Sequence, residues 1–531
     1  MSNAPGGPTW RAPAGRELSS PAGGEADRPI GTPQPGRGAS PPAIGTPQPA
    51  SGASPPAAGA SPSAIGASRV AIVGLRRSGL AVARACVGAG VEVLAVDDSP
   101  EEAGDRAAAA GIRLLGPASP DVLATLASWA ELVVVSPGVP AGHPVFSLAG
   151  RLEVVSEIEF GARLVRVPMV AVTGTNGKTT VVTLVERMLA ASGRDALAAG
   201  NIGRALTEAA LSAAEILVVE VSSFQLAFST TFAAHVAGWL NVAPDHLDWH
   251  GSFERYVAAK ARLFANQTAQ DVAVVGAEDP TVVAATRALA ARLVSFGRGG
   301  DWRVEDGALR APDGREIVAV TSMQRRSAVD QLNGLAASAL ASEAGGSLDA
   351  ARRVLEEFSG LPHRVERVAE VAGVAYYNDS KATTPDAVVA AVRGFSPGAA
   401  AEDSEWNEDR PARPARPDRP RRRGVVLIAG GRSKGVSLDP LAALGPDLVG
   451  VVTIGEAAGA VEAVFASTAG LRIRRAASMA EAVAAAAELA VPGDVVLLSP
   501  GCASFDWYSS YGARGDDFRN EVARLAGRSA R

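Results

Sequence analysis

Thr173-Gly-Thr-Asn-Gly-Lys-Thr-Thr180 is the segment that most narrows what this chain can fold into. It follows the apolar run Pro168–Val172 and precedes Val181, Leu184, Val185, Met188 and Leu189, which recur on one helical face. A buried strand, a glycine loop and a helix in that order read as part of a parallel α/β sheet. Glycines let backbone N–H groups approach an anion, and the helix N-terminus adds the positive end of its dipole. Lys178 can neutralise terminal phosphates and a threonine hydroxyl can hold Mg²⁺. The loop therefore predicts ATP or GTP chemistry. A strict Walker pattern would place glycine where Val172 stands, so what remains is Gly174-x-x-Gly177-Lys178-Thr179. A plain tight turn would need neither the lysine nor the threonines.

The rest of the chain supplies partners for this loop. Its 531 residues predict two to four domains, and a net charge of −5 gives no support for nucleic-acid binding. Two distant cysteines, Cys86 and Cys502, imply neither a disulfide framework nor a zinc site and fit a reducing cytoplasm. No apolar stretch reaches spanning length, and the N-terminus lacks the apolar core of a secretory signal, so no membrane insertion is expected. Residues 1–67 repeat short Pro/Gly/Ala/Ser motifs, such as Ile30–Pro35 and Ile44–Pro49, and are expected to be a disordered tail.

Folding is expected to start near Ser68. Arg69–Val73, a helical pattern over Leu80–Val87 and Val91–Val96 form a βαβ unit, with a further strand at Leu132–Val135. Around the phosphate loop, Ile216–Glu220 and Ala237–Val242 read as buried strands with polar residues at their C-terminal ends, the edge where open α/β sheets bind ligands. A third region carries strands at Val374–Tyr377, Val425–Ala429, Val451–Ile454 and Val495–Leu498. It is interrupted at about 396–423 by an acidic and then Arg/Pro-rich insert, which reads as a disordered surface loop.

Several polar groups sit at these strand ends. Gly74-Leu-Arg-Arg-Ser-Gly79 has the outline of a dinucleotide fingerprint, but Arg76 holds the middle glycine position, so a ligand-free turn and a nucleotide site are both open. Asp97 lies where a ribose-binding acid would sit. Glu220 is a solvated strand-end acid, a helix cap or a Mg²⁺ ligand. His246 follows another strand, and Lys260 on a helical pattern would by default face solvent. In the third region, Asp379, Ser380, Lys381 and Thr383 lie within one loop that suits a phosphate or carboxylate, or that starts a helix with Asp379 or Ser380 as N-cap. Ala429–Gly435 and Leu498–Asp506 repeat the pattern of a strand followed by a polar loop.

Taken together, the phosphate loop with Gly360–Glu366, Asn378–Thr383, Leu498–Asp506 and Arg514-Gly515 resembles the Mur ligase family of bacterial cell-wall synthesis, over about Val70 to Leu525. The resemblance implies three α/β domains: a Rossmann-like domain over 68–156 that holds a uridine diphosphate, a central P-loop-type domain over 157–361 that holds ATP and Mg²⁺, and a Rossmann-like C-terminal domain over 362–531 that holds an amino acid. The implied reaction joins D-glutamate to UDP-N-acetylmuramoyl-L-alanine through an acyl phosphate, in the cytoplasm and as a monomer. The implied uridine and muramoyl contacts are Arg77, Ser78, Asp97, Ser136, Gly138, Asn201, Ser222 and Gln225. On the ATP side the family positions fall on Gly174, Thr175, Asn176, Gly177, Lys178, Thr179, Thr180, Asn333, Arg364 and Asp379. Lys178, Glu220, His246 and Lys260 are the implied catalytic set, with Thr179, Glu220, His246 and a carbamylated Lys260 around the metal. Lys381, Thr383, Lys434, Ser504 and Tyr511 are implied for D-glutamate. Ser327–Asp330 stands where the family usually has Gly-x-His-Asn, and Tyr511 where it usually has Phe. A folylpolyglutamate-type ligase shares the phosphate loop but not the uridine-type first domain. A P-loop nucleotide switch would leave the first and third regions without a role.

Overall fold

This chain gathers polar residues at the C-terminal edges of three largely parallel sheets. The computed structural model describes residues 61–395, 424–433 and 437–529. Lys434, the tail through residue 60 and the insert at 396–423 lie outside the described residues. All described residues fall within one compact unit, Ser54–Arg531.

The first sheet is formed by β1 (Arg69–Val73), β2 (Glu92–Val96), β3 (Arg113–Leu114), β4 (Leu132–Val135) and β5 (Glu153–Ser156), in the order β3-β2-β1-β4-β5 and parallel throughout. The strand order reverses between β1 and β4, which opens a crevice above their C-terminal ends. The chain enters this sheet earlier than Ser68. Pro62–Ile65 forms a short helix, N-capped by Ser61, and Ile65 is buried beside Phe160 and Leu164. The expected tail through residue 67 is corrected at that end: one isoleucine at the right spacing is enough to dock the last turn.

The central sheet comprises β6 (Met169–Thr173), β7 (Ala196–Gly200), β8 (Ile216–Glu220), β9 (Val236–Trp239), β10 (Val272–Gly276) and β11 (Arg292–Phe296), ordered β11-β10-β9-β6-β8-β7 and all parallel. β6 therefore lies between β8 and β9, and the phosphate loop leaves it at the switch point. The helix Lys178–Ala191 buries all five residues read from its periodicity, Val181, Leu184, Val185, Met188 and Leu189, against helices Ala328–Glu343 and Leu348–Glu357. β9 stops short of the expected Val242 because Asn241 turns toward the loop instead of continuing the ladder. Its carbonyl and side-chain oxygens accept from the N–H groups of Thr175 and Asn176. A small antiparallel sheet, β12 (Arg303–Glu305), β13 (Ala308–Arg310) and β14 (Glu316–Ala319), completes this region.

The third sheet is built from β15 (Glu366–Val371), β16 (Val374–Asn378), β17 (Val425–Gly430), β18 (Leu448–Ile454), β19 (Arg472–Arg475) and β20 (Val495–Gly501), ordered β15-β16-β20-β17-β18-β19, with only β15 antiparallel. β16, β17 and β20 end side by side, so the loops after Asn378, Gly430 and Gly501 converge. No helix among the described residues is long and apolar enough to cross a membrane.

Candidate active site

Many helices among the described residues are N-capped by a serine side chain, among them those that follow Ser119, Ser156, Ser222, Ser252, Ser347 and Ser478. The helix after the phosphate loop is not. Its N-cap is Gly177, at φ 83°, with no side-chain cap, so the first-turn N–H groups of Lys178, Thr179 and Thr180 have no cap of their own to bond. Only glycine fits at this point. A Cβ there would lie 2.5 Å from Asn333 Oδ1, and the φ is one that side chains rarely adopt. Asn333 is thus packed against the loop by the helix Ala328–Glu343. An uncapped helix start beneath a glycine loop is an anion site.

Two lysines face the loop's other side. Lys178 Nζ donates to the carbonyls of Gly174 and Thr175, both at 2.8 Å. Lys260 Nζ donates to the same Gly174 carbonyl at 2.8 Å and lies over the Tyr256 ring at 4.6 Å. Lys260 is 1% exposed, which corrects the default solvent-facing reading. Its helix, Phe253–Ala261, buries Tyr256, Ala259 and Lys260 together because Tyr256 Oη must reach Thr175 Oγ1 at 3.0 Å. Two ammonium groups on one oxygen repel by on the order of 3 kcal/mol at an effective dielectric of about 20. Burial, with Lys178 beside it, pushes the Lys260 amine well below its ordinary value; burial also lowers Lys178, partly offset by the Glu220 carboxylate.

Glu220, at the end of β8, is buried and fully engaged. Oε2 accepts from Thr179 Oγ1 at 2.7 Å and Oε1 from Asn201 Nδ2 at 2.8 Å. The solvated-acid reading therefore does not hold. Arg364 arrives from the linker before the third sheet and donates from Nη2 to Thr179 Oγ1 at 2.6 Å. His246, at φ 53°, packs edge-on against Phe224 with centroids 4.6 Å apart and pairs with Asp245 at 3.3 Å.

The third sheet contributes a second cluster. Asp379 is buried, accepts from Ser499 Oγ at 2.9 Å and from Val365 N–H at 3.2 Å, and is pushed up to about 7 by burial. It caps no helix: the next helix, Pro385–Arg393, has Thr384 as N-cap, and the N-cap reading of Asp379 or Ser380 is corrected. Ser380 Oγ donates to the Tyr511 carbonyl at 2.8 Å. Lys381 lies over the Tyr511 ring at 5.1 Å, and burial with Arg364 nearby brings its amine down to about 8. Ser504 is buried, Thr383 half-buried and Tyr511 more exposed. Arg514 had no assigned role from sequence. It is 1% exposed and ties this cluster together, donating to Ser380 O, Ser380 Oγ, Cys502 O and Ala503 O. No local pattern marks it, because its partners lie on two other loops.

The first sheet's polar residues brace their own loop. Asp97 accepts from Leu75 N–H at 2.6 Å and Ser99 N–H at 2.9 Å, and Ser136 Oγ donates to Gly74 O at 2.7 Å. Arg77 and Ser78 begin the helix Arg77–Gly88, with Arg77 exposed, and Gly138 lies in the tight turn closed by Val139 N–H on Ser136 O. Ser222 and Gln225 form a capping box. Gln225 Nε2 is buried without a partner, and Gln225 shares a small cavity with Ser136, Phe146, Phe228 and Trp249.

This arrangement has relatives. A model of the Mur ligase middle domain matches residues 172–333. The UDP-N-acetylmuramoylalanine–D-glutamate ligase of Desulfosudis oleivorans is 39% identical over 477 residues, covering 86% of this chain and 96% of that one. The chain belongs to the Mur ligase family. The like-named ligase of Symbiobacterium thermophilum is also 39% identical over 477 residues, covering 86% of this chain and 98% of its own. Among solved structures, a UDP-N-acetylmuramate-alanine ligase from Thermotoga maritima superposes with a TM-score of 0.53 at 19% identity, covering 87% of this chain and all of that one, a likeness of fold. As a Mur ligase, the chain has the expected three-domain α/β architecture.

Proposed function

We propose that this chain joins D-glutamate to UDP-N-acetylmuramoyl-L-alanine with ATP, a step of peptidoglycan precursor synthesis. The observation that carries the reading is the bond from Arg364 to Thr179, which brings the third sheet's polar loops to the phosphate loop in a chain of this family. Domains at 68–156, 157–361 and 362–531 then assign one substrate to each sheet edge. The Pro62–Ile65 turn joins the first.

Joining a carboxylate to an amine in water needs an activated acyl group. The alanyl carboxylate attacks the γ-phosphorus of ATP, giving an acyl phosphate and ADP. The glutamate amine then attacks the acyl carbon and expels phosphate. Both steps bring anions together, so positioning and charge neutralisation are the protein's work. In this reading Lys178 turns from the loop carbonyls to the phosphates, and the uncapped N–H groups of residues 178–180 hold the transferring group. Gly174, Thr175, Asn176 and Gly177 shape the loop around it, and Asn333, Arg364 and Asp379 line the nucleotide. Arg77, Ser78, Asp97, Ser136, Gly138, Asn201, Ser222 and Gln225 face the uridine–muramoyl substrate. Lys381, Thr383, Lys434, Ser504 and Tyr511 receive D-glutamate.

Hard oxygen donors suit Mg²⁺, which takes one or two carboxylates and completes its shell with phosphate oxygens and water. Thr179 and Glu220 fit that demand, with His246 at the rim. Among the described residues there is no group of three or more His, Cys, Asp or Glu that could hold a metal ion. Bound Mg²⁺ supplies neutralisation of phosphate charge. Carbamylation of Lys260 would add a second carboxylate. The neutral amine attacks carbon dioxide, the N–C bond forms and a proton leaves. The depressed amine and the repulsion from Lys178 both favour that conversion.

The test supplies ATP, Mg²⁺, UDP-N-acetylmuramoyl-L-alanine and D-glutamate and follows phosphate and amide together. Phosphate release is expected to need both acceptors. Release without either of them, or equal use of L-glutamate, contradicts the reading.

A further inference from the structure

The linker between the central and third sheets is strained and held from both sides. Gly360, His363 and Val365 all have positive φ, at 111°, 61° and 45°. For a β-branched valine this is a genuine outlier, and it persists only where the surroundings over-determine it. Val365 has both backbone groups taken. Its N–H donates to Asp379 of the third sheet, and its carbonyl accepts from Arg325 Nη1 at 3.1 Å. Arg325 belongs to the central region and pairs through Nε with Asp330 at 2.9 Å. Asp330 in turn forms the capping box with Ser327 that starts the helix Ala328–Glu343, whose Asn333 packs against Gly177. A Cβ on Gly360 would lie 3.1 Å from Arg325 Nη1, so the guanidinium also fills the space that the linker's glycine leaves. Between the two held points lies Arg364, whose guanidinium is on Thr179 and beside Glu220.

We propose that Arg325 is a positioning residue for nucleotide binding: by bridging Asp330 and the Val365 carbonyl it fixes the linker so that Arg364 reaches Thr179. The bridge needs two donors at fixed separation. Arginine supplies them from one planar group, and lysine does not. The proposal rests on the reading of Thr179 and Glu220 as nucleotide and metal residues. It gives Asp330 a structural partner at a position where the family usually has asparagine.

The test measures the affinity of Mg·ADP by calorimetry, without acceptor substrates, in the full chain and in Arg325→Ala, Arg325→Lys, Arg364→Ala and the double variant Arg325→Ala/Arg364→Ala. Because no acceptor is present, failure of amide formation would strike the functional reading and leave this measurement intact. Arg325→Ala is expected to weaken Mg·ADP on the order of tenfold, the scale of a charge-assisted hydrogen bond. Arg325→Lys should fall between it and the parent. The double variant should bind no more weakly than Arg364→Ala alone, since Arg325 acts through Arg364. Parental affinity in Arg325→Ala, or losses that multiply in the double variant, would overturn the proposal. Should Arg325→Ala not fold, parental affinity in Arg325→Lys would do the same.

Discussion

Two loops of this chain share one local architecture and differ in where they keep their charge. Gly74–Gly79 and Gly174–Thr180 both leave a central parallel strand and both open helices without a side-chain cap. In the first loop a carboxylate does the bracing: Asp97 takes the Leu75 N–H, Ser136 takes the Gly74 carbonyl, and the arginines at 76 and 77 face solvent. In the second loop cations do the bracing. Lys178, half-buried, and Lys260, fully buried, converge on the Gly174 carbonyl from inside. Exposed arginines can hold a diphosphate that stays intact. Lysines packed inside the loop are less screened by water, which favours moving a phosphoryl group.

The contrast makes graded predictions. Lys178→Ala should have the largest effect, lowering kcat/KM for ligation by ~10³-fold, because it removes the loop's one cation. Steady-state phosphate release measures it, and a loss confined to tenfold would make the two loops alike. Lys260→Ala should lower kcat by ~10²-fold and recover in part with a short added carboxylate. Full activity in that variant would remove the carbamate from the account.

How much of this contrast was legible beforehand depended on distance along the chain. The phosphate loop, its helix face and the strands at Arg69–Val73, Leu132–Val135 and Ile216–Glu220 follow from local periodicity and lie where the sequence placed them. Lys260 looked like a surface lysine because its acceptor is 86 residues away. Arg514 carries no role beyond its place in the family resemblance, and Arg325 none at all, for the same reason: each bonds carbonyls of loops that only the tertiary fold brings near. Asp379 looked like a helix cap because Asp before a helix usually is one, whereas its partner Ser499 lies on a strand 120 residues further on. The family resemblance names Lys260 and Asp379 where local pattern points elsewhere, and both side chains are buried.

Two smaller effects sharpen the comparison. Arg77→Ala should raise KM for the uridine nucleotide by ~10-fold with kcat nearly unchanged, as expected for a solvent-screened contact to a group that does not react. An equal fall in kcat would mean that the first loop takes part in the chemistry. The least effect concerns pH. Lys381 is brought down to about 8, so it carries its charge below that pH and loses it above. KM for D-glutamate should therefore be flat from pH 6 to 7 and rise severalfold by about pH 9, while Lys381→Arg should abolish the rise. A profile unchanged in the arginine variant would assign the titration elsewhere.

In the proposed reaction the phosphate loop passes phosphate to the substrate's own carboxylate. UDP-N-acetylmuramoyl-L-alanine labelled with ¹⁸O in the alanyl carboxylate tests this directly. After ligation with D-glutamate, the released phosphate should carry one labelled oxygen, as read by mass spectrometry. Phosphate without label would mean that ATP had been cleaved by water, and the two loops would then differ in strength of binding and not in kind.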